Sequence, residues 1–175
     1  VNIFCTNDNP IISAQELCDQ HCRSKMQIES AILLQHCFTN QALLSAPPTK
    51  KGTPRKSGKG YYNHPCSVWV RESKANFEWL CEHALEMFNE RDYRWPTSAE
   101  HFTKTFIQWC KDNVNKTSVC KGTKLTPFAV AINPESNCRQ IKGFEQLPIT
   151  DKYKQYIRLD KSFATWSKRP KPSWY

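Results

Sequence analysis

Glycine is scarce in this chain, with five in 175 residues, and none falls in a Gly-rich fingerprint. That excludes the loops that cradle nucleotide phosphates by close backbone approach. Long apolar runs are missing as well; none approaches the ~20 residues that a membrane-spanning helix needs. No CxxC or HxxxH pair occurs, so Cys18, His21 and Cys22, although neighbours on a helical pattern, lack the partners of a four-ligand zinc set. No metal and no cofactor are expected. Nothing specifies a Ser-His-Asp triad, and no internal repeat is present. The opening VNIFCTNDNP carries neither a basic region nor a long apolar stretch, so no signal peptide is expected there.

Cysteine is plentiful by contrast. The nine are scattered, odd in number and mostly single, which suits reduced thiols filling a core in the cytoplasm better than a disulfide framework. A length of 175 residues suits one domain with a core that needs no staples. The net charge of +9 is concentrated in two places. Residues 45–62 hold five basic side chains (Lys50, Lys51, Arg55, Lys56, Lys59) and no acid, and 139–175 hold nine basic against three acidic. Together they account for +11 and leave the remainder at −2. Charge placed this way is the footprint of a protein that grips a polyanion, although a solvated basic face with no partner reads the same.

The chain reads as mainly helical. Ser13 with Glu16 has the form of a capping box, and a helix from Ser13 to Cys37 is expected to organise the fold. On it Ala14, Cys18, Cys22, Met26, Ile32, Leu33 and Cys37 share an apolar face, opposite Glu16, Asp19, Gln20, Arg23, Gln27 and Ser30. His21, Lys25 and Glu29 follow one another at i, i+4 and i+8 inside that apolar face, where ionisable groups are costly unless paired or met by a ligand. Two readings fit: a buried pairing that fixes helix packing, or the floor of an active site. After the helix, SAPPTKKGTPRKSGKG lacks any periodicity and reads as a flexible basic flap over 45–62.

A second long helical stretch is expected from a Ser67 cap to about Arg91, broken near Ser73, burying Phe77, Leu80, Ala84, Met87 and Phe88 together with Asn76 and His83. Thr97 with Glu100 has the form of another capping box, opening a helix through Cys110 with Phe102, Phe106, Trp109 and Cys110 inward. A last helix runs from Thr150 to about Lys161. The tail FATWSKRPKPSWY is so rich in aromatics that it is expected to pack down. The expected architecture is thus a compact single-domain helical bundle over 1–175, with a long basic loop and a packed C-terminal tail. Arg71, Glu72, Asn76 and His64 are candidate partners of the ionisable stripe or of a phosphate.

The run Leu17-Cys18-Asp19-Gln20-His21, followed by Glu29, is similar to the start of the bacteriophage pyrimidine-dimer DNA glycosylases of the endonuclease V type. The tail Arg169-Pro170-Lys171-Pro172-Ser173-Trp174-Tyr175 resembles their Arg-Pro-Thr-Trp-Tyr ending. The resemblance rests on these two anchors, with size, basic charge and a helical layout in keeping. It implies a DNA N-glycosylase, with or without strand-cleaving lyase activity, acting on damaged or modified pyrimidines in duplex DNA. The α-amine of a mature terminus would be the nucleophile on the sugar C1′, and α-amines are more readily unprotonated near neutrality than lysines. Carried over, Val1 supplies the amine, Glu29 stabilises the cationic sugar, and His21 positions DNA, with Lys25 beside them. Arg169, with Lys168 and the tail aromatics, contacts DNA; Lys50, Lys51, Arg55, Lys56, His64, Arg71 and Asn76 complete the expected nucleic-acid surface around a flipped base. The implied setting is a monomer in the cytoplasm of an infected bacterial host, with no membrane partner. Two alternatives remain open on the residues alone: a base-modifying transferase or hydrolase on the same scaffold, and a non-catalytic DNA-binding protein.

Overall fold

The computed structural model describes residues 1–58, 60–96, 101–119 and 121–175. Eight α-helices and no strand occur among them: α1 Pro10–Glu16, α2 Asp19–Cys22, α3 Lys25–Gln35, α4 Asn40–Leu43, α5 Pro65–Glu72, α6 Lys74–Arg94, α7 Phe102–Asp112 and α8 Ile149–Asp160. The mainly helical class is therefore as expected. The Thr97–Glu100 capping signal lies outside the described residues.

The organising element is α6, not the opening helix. It is bordered by α1, α2, α3, α5 and α7. Phe77, Leu80, Cys81, Ala84, Met87 and Phe88 are all buried along it, together with the polar Asn76, His83, Glu90 and Arg94. The side left uncovered is a polar stripe at helical spacing, Lys74, Glu78, Glu82 and Asn89, which stays partly or fully exposed. The break expected near Ser73 is real. Ser73 is extended (φ −149°, ψ 156°) and its hydroxyl side accepts from the Asn76 amide, so one residue ends α5 and caps α6. The cap of α5 is His64 rather than Ser67: its ring accepts from the Cys66 amide, and Pro65 opens the first turn.

The single helix expected over 13–37 is three pieces. Asn9 caps α1 by accepting from the Ile11 and Ile12 amides. Ser13 is no cap; buried inside α1, it accepts from the Thr6 amide. Leu17 and Cys18 are extended, and Ser24 (φ −173°, ψ −25°) separates α2 from α3. Each break strands carbonyls that a continuous helix would have used, and side chains from other elements take them. Arg94 donates to Leu17 O at 2.9 Å and to Gln15 O at 3.2 Å, Trp166 donates to Glu16 O at 3.0 Å, and Gln27 donates to Cys22 O at 2.6 Å. The breaks also rotate the faces. Asp19, Gln27 and Ser30, expected in water, are buried, whereas Lys25 and Ile28 are exposed. Likewise on α7, Phe106 and Cys110 are buried but Phe102 stands 53% exposed.

The tail packs down as expected, through a buried ionic network. The Arg94 guanidinium, with no exposed side-chain surface, meets Asp19 at 3.1 Å and Glu90 at 3.0 Å. Asp19 also accepts from Thr165 Oγ1 (3.0 Å), Ser167 Oγ (2.8 Å) and the Ser167 amide. Arg169 reaches both oxygens of Glu90, and Trp166 packs edge-on against Tyr175 with centroids 4.6 Å apart. The eight described cysteines are all buried and unpaired. No helix among the described residues is long and apolar enough to cross a membrane.

Removing the Arg94 guanidinium leaves two buried carboxylates and two carbonyls short of a partner, so Arg94→Ala should cost about 3–5 kcal/mol in urea unfolding. Burial alone would raise the Asp19 pKa, but the Ser167, Thr165 and Arg94 donors overcome it and hold the carboxyl below its usual value. A carboxyl depressed on folding stabilises fully above its unfolded pKa and loses that contribution as pH falls through the folded one. The urea midpoint should therefore drop on acidification below about pH 4, and Asp19→Asn should start lower at pH 7 and drop less.

Candidate active site

VNIFC lies extended against the core, with Ile3, Phe4 and Cys5 buried. Asn2 holds it there. Its side-chain amide donates to Ala131 O at 3.0 Å, while its Oδ1 accepts from the Ile3 amide and lies 2.9 Å from the buried Tyr153 hydroxyl on α8. Its own main-chain N–H donates to Glu29 Oε2 at 2.9 Å. The Val1 nitrogen consequently lies 4.0 Å from the same carboxylate oxygen, and Glu29 keeps 15% of its side chain exposed.

These groups open into a cavity of about 260 Å³ lined by Val1, Asn2, Glu29, Lys25, His21 and Lys161, with Phe4, Gln20, Met26, Tyr156 and Phe163 completing the wall. One side is aromatic. Phe4 stacks on His21 at 4.1 Å and lies parallel to Tyr156 at 5.8 Å. The other polarity comes from two ammonium groups: Lys25 at the start of α3 and Lys161 just past α8, which donates to the Tyr156 hydroxyl at 3.0 Å. A carboxylate at one end, cations beside it and flat rings between suit a ligand that is anionic at one edge and planar at another.

The expected stripe is corrected in one respect. His21, Lys25 and Glu29 are not three rungs of one helix face, because α2 and α3 are separate, yet all three face the same cavity. His21 is buried, and burial first, then Lys161 and Lys25, push its pKa down to about 3. A neutral imidazole results, with Nδ1 3.5 Å from Cys18 Sγ. His64 stands close by: burial and the Val1 ammonium lower its pKa while Glu29 opposes them. Because its Nδ1 accepts from the Cys66 amide at 3.2 Å, the neutral ring carries its proton on Nε2.

The remaining candidates disperse. Lys50 and Arg55 border a different cavity of about 550 Å³, with Ile28, Arg91, His101 and Phe102. None of the described residues of the basic loop lines the first one. Nor is the whole loop an untethered flap. The Arg55 guanidinium sits 3.8 Å over the Phe106 ring and donates to Pro47 O, and Gln35 donates to Lys56 O. Lys51 and Lys56 are exposed. Arg71 stacks on Tyr62 at 3.8 Å and donates to its carbonyl, which ties the loop's end to α5. Asn76 is wholly buried, bonded to Trp69 O, Thr126 Oγ1 and the Thr126 amide, so it meets no ligand. Lys168 is exposed and donates to Tyr93 O, whereas Arg169 is spent on Glu90. Among the described residues no group of three or more His, Cys, Asp or Glu could hold a metal ion.

No protein-family model, curated protein or solved structure matches this chain.

Sequence pattern alone does not single out the lining residues Asn2, Phe4, Gln20, Tyr156, Lys161 and Phe163. Only the density of aromatic and basic residues near the C-terminus hinted at the last three.

A histidine whose pKa falls on folding leaves stability intact above about 6.5, its ordinary value, and loses it as pH falls toward about 3. The His21 ring should therefore show no titration between pH 5 and 8 by NMR, while the neighbouring His64 should titrate below the normal histidine range.

Proposed function

We propose that the chain is a DNA N-glycosylase with associated lyase activity, acting on damaged or modified pyrimidines. The observation that carries this reading is the placing of the Val1 nitrogen 4.0 Å from Glu29 in a cavity flanked by Lys25 and Lys161. It is supported by the similarity of the Leu17–His21 and Arg169–Tyr175 segments to the phage pyrimidine-dimer glycosylases.

The reaction needs a free α-amine at Val1. Its lone pair forms a bond to C1′ of the target nucleotide as the bond from C1′ to the base nitrogen breaks, and the base departs with that electron pair and takes up a proton. Opening of the sugar ring then leaves a protonated Schiff base between Val1 and C1′. Loss of a proton from C2′ allows the 3′ phosphate to leave, which cuts the strand. Glu29 Oε2 is occupied by the Asn2 amide, so Oε1 is the oxygen that faces the developing positive charge on the sugar. Lys25 and Lys161 would meet the phosphate flanking the extruded nucleotide, and the Phe4, His21 and Tyr156 rings supply a flat, dry wall. Lys50, Lys51 and Lys56 would add contacts to the duplex backbone farther away, which makes binding salt-dependent.

Incubation with abasic-site and lesion-bearing duplexes in the presence of borohydride should yield a covalent adduct that maps to Val1 by mass spectrometry. Glu29→Gln should lose about 10²-fold or more in cleavage while binding the same DNA, and a residue added ahead of Val1 should abolish trapping. Absence of any adduct across such substrates overturns the proposal. An altered nucleoside mass in uncut DNA would point to base modification instead.

A further inference from the structure

The Glu29 carboxylate is held by the main chain of Asn2, whose side chain is bonded elsewhere. Both polar atoms of the Asn2 side chain are engaged. Nδ2 donates to Ala131 O at 3.0 Å, Oδ1 accepts from the Ile3 amide at 2.8 Å, and the Tyr153 hydroxyl lies 2.9 Å from the same oxygen. Tyr153 is itself locked: it has no exposed surface, accepts from the Ala131 amide at 3.0 Å and lies 3.0 Å from Ala129 O. The Asn2 main-chain N–H donates to Glu29 Oε2 at 2.9 Å. Among the described residues no other hydrogen bond holds the Glu29 carboxylate.

We infer that Asn2, braced by Tyr153 and the Ala131 backbone, is a positioning residue for Glu29, setting which carboxylate oxygen faces the substrate and how far it stands from the Val1 nitrogen. A glutamate has three rotatable side-chain bonds. Without the amide its carboxylate would sample several staggered rotamers, and a displacement of about 1 Å can cost on the order of 10²-fold in a reaction that depends on alignment. The bond is a main-chain one, so its direction is set by where the Asn2 side chain is anchored rather than by what it touches in the cavity. This inference rests on the proposed role of Glu29 toward the sugar.

The test compares the full chain with Asn2→Ala, Asn2→Asp and Tyr153→Phe under single-turnover conditions on abasic-site duplex. Asn2→Asp sets a carboxylate oxygen against Ala131 O, whereas Tyr153→Phe leaves the Ala131 and Ile3 bonds in place, so Tyr153→Phe should retain more than either Asn2 variant. Borohydride trapping should slow about 10–100-fold in Asn2→Ala and by a smaller factor in Tyr153→Phe, with the dissociation constant for the same DNA unchanged. Thermal melting identifies any variant that fails to fold, and Tyr153→Phe, the mildest change, keeps the comparison informative if Asn2→Ala does. Trapping at the wild-type rate in folded Asn2→Ala overturns the inference, as does a loss of DNA binding in step with the rate. No trapping by the wild-type chain itself would instead overturn the underlying reading of Val1 and Glu29.

Discussion

One buried guanidinium holds together what the chain leaves apart. Arg94, at the end of the central helix, bonds at once to two carboxylates and to the carbonyls of Gln15 and Leu17. Those carbonyls exist as free acceptors only because the chain leaves helical geometry between α1 and α2. The carboxylates in turn fasten the last stretch of chain, Asp19 through Thr165 and Ser167 and Glu90 through Arg169. Isolated buried charges are expensive, and a network in which each lone pair is satisfied offsets that cost while tolerating few other arrangements. It is also specific, since the same contacts define where α2 lies and hence where His21 points.

How much of this could be read beforehand follows from the range of the interactions involved. The buried positions of α6, its break at Ser73 and the extent of α8 were legible, since periodicity and caps are local signals. The interruption of the opening helix was not. Nothing between Leu17 and Ser24 forbids a helix; the interruption is stabilised by Arg94, Trp166 and Gln27, two of them at least 77 residues away. Losing that break displaced Asp19, Gln27, Ser30 and Lys25 to the wrong side of the expected helix.

The site divides along the same line. That His21, Lys25 and Glu29 belong together followed from ionisable residues spaced along an otherwise apolar pattern, and the grouping holds although the continuous face behind it does not. That Lys161 and Tyr156 join them could not be seen, because nothing local links α8 to α3. Counting charge also overstated the available cations. Arg55, Arg71 and Arg169 look like free surface in a sequence, yet each is stacked on a ring or paired with a carboxylate. Formal charge says nothing about whether a guanidinium is already engaged.

The cavity is walled by residues from both extremes of the numbering, and the contact that steadies it, Asn2 with Tyr153, spans 151 positions. Closing so long a loop is slow relative to forming helices α3 to α7, whose contacts are nearer in sequence. Contacts among the central helices can therefore form ahead of those that shape the recess. The recess is complete only once residues near 160 have emerged and docked against the first few, which makes it one of the last parts of the molecule to take shape.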